Sequence, residues 1–380
     1  MMMKSIALAV VLSGAVAQIG VSAESNLAQT NAADDSRTKP VSVPLPKDSM
    51  NLRQIPYKIV HETYRPTSGK GSPTQNDALG SPKRNWEIFI MNADGSEHVN
   101  LTNTPDIDEM YPHVSPDGTK IVFVADEGRG RRGKVRHVYY MNLDGSNRVH
   151  VVANGREPCW SFDGKSIAYL KGEYDRYTTR EYATSGLTYY HLDDDWHQPH
   201  QNEELHHLYA ICWSPDGRWF VGAVQGGMGY SDTIIAFEAF GKRVFDLEQW
   251  GVRGCRPDLN ADGTRMVWGE TDWNLQTGEV DLGAPNARDR VGEPLKSAEP
   301  KVTNVHDILR CARQSKVYHV DISPDSKYIT FSYGPFSGGQ QVGGMAEGWN
   351  ICVADLDGNW VQITNDGLHN KEPDWVPVKN

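Results

Sequence analysis

The densest group of ionisable side chains in this sequence lies between His191 and His207, where five histidines are interspersed with five carboxylates. Imidazole and carboxylate groups are ligands that divalent metals accept. A metal held there would suit a polysaccharide lyase or a sugar-binding protein. The same composition is also usual for a solvated loop between strands, so both interpretations stay open. The candidate metal ligands are His197, His200, His206 and His207.

The sequence patterns of common hydrolases and nucleotide-binding enzymes are absent. The chain contains no H-E-x-x-H, no G-x-S-x-G and no phosphate-loop pattern. Each of these patterns places catalytic or ligand-binding groups at a fixed spacing. We therefore predict that this chain has no self-contained catalytic centre and assign no catalytic residue to it.

The five cysteines lie apart, without C-x-x-C spacing and without the C-x-x-C-H motif that attaches haem covalently. We therefore expect no cofactor in this chain. Buried free thiols are the expected state of Cys159 and Cys212. Because these two cysteines occupy one position in successive copies of a repeat, a disulfide or a soft-metal site between them is the alternative.

That repeat is a phrase that recurs along the chain and ends in a Ser-Pro-Asp-Gly turn or a close variant. Pro presets φ and Gly tolerates positive φ, so each copy predicts two short strands joined by a tight turn. A sixth copy begins at Glu372. We predict that the turn glycines are related by rotation about one axis: Gly118, Gly164, Gly217 and Gly263.

A second phrase, with Asp-Gly at most of its tips, alternates with the first and predicts further hairpins. Two hairpins make a four-stranded sheet, and such sheets bury both faces only by packing around an axis. The spacing between turns is near that of a propeller blade. We therefore predict an all-β fold over residues 57–380, a single β-propeller of six four-stranded blades, with a seventh, degenerate blade left open.

Closure of the ring is expected to join the two ends of this region. The sixth copy of the repeat lacks a second strand, and residues 58–63 have the alternating pattern to supply it. An unpaired edge there would invite aggregation. We predict that residues 57–64 pair with the C-terminal blade.

The repeated Trp-Ser-Pro-Asp-Gly phrase and the Met-Asn-x-Asp-Gly-Ser phrase between its copies resemble the repeat of the TolB-like β-propeller family over residues 57–380. The resemblance implies a fold rather than a function, because propellers serve as scaffolds, lyases and protease appendages. It also implies that the strand before each Ser-Pro-Asp-Gly turn is the innermost of its blade.

Alternate residues of that innermost strand should face the central channel. The opposite face of the same strands carries Trp160, Trp213 and Trp375, which should be buried between blades. A channel of this composition could bind a cation or a small polar ligand, or hold only water. The channel-lining candidates are His113, Glu157, Cys159, Cys212, Arg256, Asp258, His319, Asp321, Glu372 and Asp374.

The N-terminal region has the pattern of an exported protein. Residues 1–23 contain Lys4 and then an uncharged, mostly apolar run that ends in Val-Ser-Ala, which predicts a signal peptide. Residues 24–56 are predicted to be a flexible leader. No later segment could span a membrane, and the net charge of -11 disfavours nucleic acid as a partner.

Charged and aromatic residues in long connections are candidates for contacts with partner proteins. A basic hairpin tip suits an acidic partner surface. Glu248 lies in a connection longer than a tight turn and could hold water, a cation or a proton near a path between sites. The candidates for partner docking are Arg129, Arg131, Arg132, Lys134, Arg136 and Trp250.

Longer phrases at residues 205–217, 226–230, 254–258, 348–352 and 370–375 resemble a narrower group of propellers. Within that group, an exported chain of this size without a haem motif resembles the β subunits of hydrazine synthases. The resemblance implies a haem-free scaffold subunit of an exported multihaem oxidoreductase complex. Its partner subunits would carry c-type haem and make hydrazine from nitric oxide and ammonium, in a periplasm-like compartment or the anammoxosome lumen. A metal-dependent oligosaccharide lyase or sugar-binding propeller is the alternative.

Overall fold

The computed structural model describes residues 39–66, 84–130, 133–172, 184–283, 299–336 and 348–378. These residues form six four-stranded antiparallel sheets, the blades of a propeller. The predicted all-β propeller is therefore confirmed with six blades, and no seventh sheet occurs within the described ranges. The predicted signal peptide lies outside them.

The strands follow the chain from the inner to the outer edge of each blade, except in blade 6. Three N-terminal strands form the outer part of blade 6: β1 (Lys58–Pro66), β2 (Arg84–Asn92) and β3 (Val99–Asn100). Blade 1 contains β4 (Asp108–Val114), β5 (Lys120–Gly130), β6 (Gly133–Asn142) and β7 (Val149–Ala153). Blade 2 contains β8 (Gly155–Trp160), β9 (Ser166–Gly172), β10 (Thr184–His191) and β11 (Trp196–Pro199).

The remaining blades repeat this order. Blade 3 contains β12 (Leu208–Trp213), β13 (Trp219–Gln225), β14 (Asp232–Glu238) and β15 (Val244–Asp246). Blade 4 contains β16 (Cys255–Leu259), β17 (Arg265–Thr271), β18 (Asn274–Asp281) and β19 (Lys301–Arg310). Blade 5 contains β20 (Ser315–Ile322), β21 (Tyr328–Pro335), β22 (Asn350–Asp355) and β23 (Trp360–Gln362). The innermost strand of blade 6 is β24 (His369–Val376), and short 3₁₀ helices span Lys47–Ser49, Leu52–Gln54 and Leu247–Trp250.

Strand order gives the ring two different faces. The Ser-Pro-Asp-Gly turns and the tips between the third and fourth strands lie on one face, here called the turn face. The connections between the second and third strands, and those between blades, lie on the other, here called the loop face. Apart from residues 282–300, the connections on the turn face are short, so most long connections leave from the loop face.

The predicted equivalence of the turn glycines is confirmed. Gly118, Gly164, Gly217 and Gly263 all have φ between 64° and 74°. The amide N–H of each donates to the carbonyl oxygen three residues earlier, at 2.8 or 2.9 Å. A side chain at any of these positions would be strained, because L-residues with positive φ are disfavoured.

The tryptophans before these turns are buried, as predicted. Trp160, Trp213 and Trp375 are each no more than 8% exposed. Each belongs to a cluster that includes side chains of two neighbouring blades. The indole of Trp160 also donates a hydrogen bond to the carbonyl oxygen of His113 in blade 1 (3.0 Å). These side chains hold adjacent blades together mainly by burying apolar surface.

The ring is closed by its N-terminal strand, as predicted. β1 pairs antiparallel with β24 on one side, from Lys58 opposite Val376 to Tyr64 opposite His369. It pairs with β2 on the other side. Blade 6 therefore combines strands from both ends of the propeller region, and its integrity depends on a contact between residues distant in sequence.

The second half of the predicted flexible leader is bound to the ring, which corrects that prediction. Residues 39–56, here called the strap, run along the outer edges of blades 4 and 5 and end in the core of blade 6. The amide of Ser42 donates to the carbonyl oxygen of Arg310 (2.8 Å), and Leu45 forms a parallel bridge with Val361. Leu52 and Ile55 are buried in a cluster shared by blades 5 and 6.

Removal of the strap should destabilise the ring even though β1 stays in place. Burial of Leu52 and Ile55 contributes roughly 1.5–3 kcal/mol each, so a chain that begins at residue 57 should have a lower free energy of unfolding than one that begins at residue 39. Urea unfolding of the two truncated chains measures the difference. Equal unfolding midpoints would show that the strap contributes nothing to stability.

Candidate functional site

A cavity of ≈ 110 Å³ lies on the axis of the propeller, where the innermost strands meet. Two sets of residues at equivalent positions of the repeat face this axis or border it. The bulge ring, on the side of the loop face, consists of Tyr111, Glu157, Ala210, Arg256, His319 and Glu372. The turn-side ring consists of His113, Cys159, Cys212, Asp258, Asp321 and Asp374, all of which except Cys159 line the cavity.

A backbone irregularity in every innermost strand shapes the cavity. All six bulge-ring residues have φ between 45° and 54°, in the left-handed region that residues other than glycine rarely adopt. The pairing register of each innermost strand shifts at the same point, so two residues oppose one on the neighbouring strand. Strict alternation fails there, and three consecutive residues line the cavity in every innermost strand except that of blade 2, which contributes two.

The sequence contained a signal for this irregularity. In four of the six copies the bulge-ring residue is followed by proline, and proline inside a strand is confined mainly to edges and bulges. Simple alternation therefore missed the intervening residues that also line the cavity: Pro112, Pro158, Ile211, Pro257, Val320 and Pro373.

An ion-pair network occupies the bulge ring. The guanidinium Nη1 of Arg256 lies 3.1 and 3.2 Å from the two carboxylate oxygens of Glu372, and His319 Nε2 donates to Glu372 at 2.9 Å. Burial raises the pKa of Glu372, but Arg256 and His319 outweigh this effect and hold the pKa at about 2. Burial lowers the pKa of His319 to about 4, against the opposite effect of Glu372.

Two residues that the sequence did not predict complete this network. Lys371 Nζ lies 3.1 Å from Glu62 Oε1, and both side chains are almost fully buried. The amide N–H of Tyr111 donates to Glu62 Oε2 at 2.7 Å. Burial raises the pKa of Glu62 to about 7, although Lys371 opposes the shift. Glu62 comes from the second strand of blade 6, so the channel repeat alone did not identify it.

Carboxylates in both rings connect each blade to the next one. Glu157 accepts a hydrogen bond from the amide of Ala210 at 3.1 Å. In the turn-side ring, the amides of the following blade donate to Asp258, Asp321 and Asp374 at 3.0, 2.9 and 2.6 Å; the donors are Ile322, Trp375 and Val114.

The three aspartates of the turn-side ring influence one another electrostatically. Burial and the neighbouring carboxylates Asp258 and Asp374 raise the pKa of Asp321 well above its usual value. Burial likewise raises the pKa of Asp374. Asp321 and Asp374 therefore bind protons more strongly than isolated carboxylates do.

The two cysteines of the turn-side ring are free thiols, as predicted, but only Cys212 lines the cavity. Cys159 lies in a hydrophobic cluster with Tyr189 and Trp213 rather than on the cavity, because its blade packs more apolar residues at this point. Cys212 lines the cavity and its Sγ lies 3.3 Å from Asp258 Oδ1. Both are free thiols, so the disulfide alternative is wrong. Burial raises the pKa of both thiols above the usual value.

The histidines predicted as metal ligands form hydrogen bonds with other groups of the protein. His200 Nε2 donates to the carbonyl oxygen of Glu238 (2.8 Å), and His197 contacts the hydroxyl of Tyr169 (3.1 Å). His206 and His207 hydrogen-bond to each other at 2.8 Å. These contacts lie in separate places and use ring nitrogens that a metal would need. Across the described ranges, no group of three or more His, Cys, Asp or Glu has an arrangement that could hold a metal ion.

The docking prediction for Arg136 is wrong. Its side chain is 4% exposed and donates to both carboxylate oxygens of Asp126, at 2.9 and 3.2 Å. The same guanidinium lies 5.5 Å from the centre of the Tyr111 ring and so supports the bulge ring. The side chains of the other cations in that hairpin lie outside the described residues: Arg129, Arg131, Arg132 and Lys134.

Glu248 and Trp250 lie in a 3₁₀ helix on the loop face. Leu247 and Val252 anchor this segment in the core between blades 3 and 4. Glu248 is 48% exposed and forms an ion pair with Arg253 at 3.0 Å. The lining of the central cavity includes neither Glu248 nor Trp250 in the described part of the chain. Glu248 therefore faces whatever approaches the loop face, not the channel.

Fold and site together define a closed six-bladed β-propeller whose channel groups are largely bonded to one another. No protein-family model matches the sequence, and no curated protein matches it. No helix in the described ranges has the length and hydropathy needed to cross a membrane.

Solved structures show where this fold recurs. TolB from Acinetobacter baumannii is similar with a TM-score of 0.54 and 16% identity, over 85% of this chain and 67% of that chain. Hydrazine synthase from Kuenenia stuttgartiensis is similar with a TM-score of 0.53 and 14% identity, over 90% of this chain. This chain spans about half of that one, covering 48% of it. A nidogen/laminin complex reaches 0.51 at 8% identity, over 84% of this chain and all of that chain. At these identities the likeness shows the TolB-like propeller fold alone.

The aspartate cluster predicts a specific pH dependence of stability. Because the pKa of Asp321 is raised on folding, the folded state retains a proton that the unfolded state releases above about pH 4. The free energy of unfolding therefore falls as pH rises through this window, by about 1.4 kcal/mol per pH unit for each retained proton. Asp321→Asn keeps an N–H donor toward its neighbours but has no proton to lose, so its stability should fall less steeply.

Urea unfolding of both chains between about pH 4 and pH 8 measures this difference. Burial also raises the pKa of Glu109 and that of Glu62 to about 7. Both groups therefore make the free energy of unfolding of each chain fall as pH rises. Their contributions and those of the histidines cancel in the comparison. Parallel pH profiles for the two chains would contradict a raised pKa of Asp321.

Proposed function

We propose that this chain is a haem-free propeller scaffold subunit of an exported multihaem oxidoreductase complex similar to hydrazine synthase. Its role is to hold haem-carrying subunits and to shape the path between their sites. The proposal includes the signal peptide of residues 1–23 and a periplasm-like compartment or the anammoxosome lumen as the location. The similarity in fold to hydrazine synthase supports this assignment.

One observation carries the proposal: the channel groups are bonded to one another, whereas most long connections leave from the loop face. Arg256, His319 and Glu372 form a network, and each aspartate of the turn-side ring accepts a hydrogen bond from an amide of the following blade. A closed ring that offers connections on one face is suited to holding other proteins, since loops on a rigid framework commonly carry binding.

Haem is assigned to the partner subunits. Covalent c-type haem requires a C-x-x-C-H motif, which this sequence lacks. The alternative of a metal-dependent oligosaccharide lyase loses its proposed ligand set, because His197, His200 and the His206–His207 pair contact different parts of the ring.

Purification of the affinity-tagged chain from the cells that produce it tests the proposal. Haem proteins should co-purify in a fixed ratio, and the propeller chain separated in denaturant should carry no covalent haem. A chain that purifies alone, or with partners that contain no haem, would contradict the proposed function.

Within this proposal Glu248 contributes to the path between the partners' sites. It is exposed on the loop face, and its helix is anchored by Leu247 and Val252, so it has a fixed position from which to hold water or a proton. Glu248→Gln should lower the turnover of the assembled complex without changing its assembly. Gln249→Ala, at the exposed neighbouring position, is the matched control.

The measurements are hydrazine formation by the purified complex and its subunit ratio. Glu248→Gln should reduce the rate by roughly tenfold or more, a size typical of losing a positioned proton-transfer group. Equal rates for Glu248→Gln and Gln249→Ala would remove Glu248 from the path.

A further inference from the structure

Two turns on the turn face carry a phenylalanine where other copies of the repeat carry proline or aspartate. In the Ser-Pro-Asp-Gly turns, the position after serine holds Pro116, Pro215 and Pro324, but in blade 2 it holds Phe162. At the tips between the third and fourth strands, the residue before glycine is aspartate in blades 1, 5 and 6, but in blade 3 it is Phe240. Phe162 is 47% exposed and Phe240 is 56% exposed.

Both rings border the same turn, that of blade 3. A Cβ at Gly217 would lie 2.2 Å from Cε1 of Phe162, so this ring rests on the turn. The ring of Phe240 lies 6.1 Å from the ring of Trp213, whose indole donates to the carbonyl oxygen of Gly217 at 3.1 Å. The two phenylalanines therefore belong to one patch on the framework of blade 3.

A third exposed aromatic lies on the same face of blade 2. Trp196 is 53% exposed and stacks on His191, with ring centroids 5.3 Å apart. Four exposed aromatics occur in the described ranges, and three of them are here; the fourth, Phe336, is on the loop face. Exposed aromatics concentrated in one region are typical of surfaces that bind another protein.

The charges around these rings are mainly acidic. Asp193, Asp194 and Asp195 are exposed in the turn that precedes Trp196. Two nearby cations, Lys165 and Lys242, are exposed in the turns of Phe162 and Phe240. Arg218 and Arg243 are paired, each 2.5 Å from a carboxylate of its own turn. The exposed carboxylates still outnumber the exposed lysines: Asp163, Asp193, Asp194 and Asp195. An apolar centre with an acidic rim is complementary to a surface with an apolar anchor surrounded by lysine or arginine.

We propose that Phe162, Trp196 and Phe240 form a docking surface for a partner protein that presents an apolar anchor within a basic rim. The inference rests on the proposed function in one respect: it gives the scaffold a second docking surface, opposite the loop face. The chain itself supplies the control residues, since three other repeats contain proline at the position of Phe162 and three contain aspartate at the position of Phe240.

Site-specific photocrosslinking in the cells that produce the full chain tests this docking surface. The photoreactive amino acid p-benzoylphenylalanine replaces Phe240 in one chain and Phe336, the exposed aromatic of the loop face, in the other. At position 240 we expect an adduct with a different protein, in which the crosslinked peptide has lysine or arginine next to apolar residues. No adduct at position 240, an adduct with a second copy of this chain, or an acidic crosslinked peptide would overturn the proposal.

Two further variants separate docking from folding. Phe162→Pro, and Asp193→Asn combined with Asp194→Asn and Asp195→Asn, should each lower the yield of the adduct at position 240 by about tenfold. Their unfolding midpoints should match that of the parent chain. Yields that stay unchanged in both variants would overturn the proposal.

The crosslinking result also distinguishes this inference from the proposed function. A basic partner at position 240 that carries no haem, with no haem protein at position 336, supports the docking surface and contradicts the haem-complex scaffold. A haem protein that crosslinks only at position 336 would support the scaffold function and contradict the docking surface.

Discussion

The left-handed residue in each innermost strand is the constraint on which the channel depends. A non-glycine residue in this region costs of order 1–3 kcal/mol and persists only when its surroundings enforce it. Here the same conformation occurs at all six equivalent positions. In five of the six blades it turns three consecutive residues toward the axis. At Tyr111 and Ala210 it presents amides to Glu62 and Glu157 of the preceding blade.

A polar contact beside the axis therefore occurs at every interface between blades. Carboxylates accept amides at the interfaces 2–3, 4–5, 5–6 and 6–1. The Trp160 indole bonds to His113 between blades 1 and 2, and the Cys212 thiol contacts Asp258 between blades 3 and 4. Buried polar groups are costly unless they are hydrogen-bonded, so this arrangement stabilises the ring. Nδ1 of His113 and Nε of Arg256 are buried lining atoms without a hydrogen-bond partner among the described residues.

Repetition made the fold predictable from the sequence, but contacts that do not repeat could not be predicted in this way. The turn glycines and buried tryptophans followed from positions that recur in several copies. The strap did not, because Ser42 and Leu45 bind Arg310 and Val361, which lie far away in sequence. The pairing of Arg136 with Asp126 could have been predicted from the register of the β5–β6 hairpin, because the two residues lie opposite each other there.

We propose that this propeller holds partner proteins on its faces, while the polar groups of its channel stabilise the ring. A cryo-electron microscopy structure of the assembly purified from its producing cells tests this claim most directly. We expect haem-carrying subunits against the loop face, a partner over Phe162 and Phe240, and the Arg256–Glu372 pair intact in the channel. A solvent-exposed ring with a substrate-sized ligand that replaces this pair would contradict it.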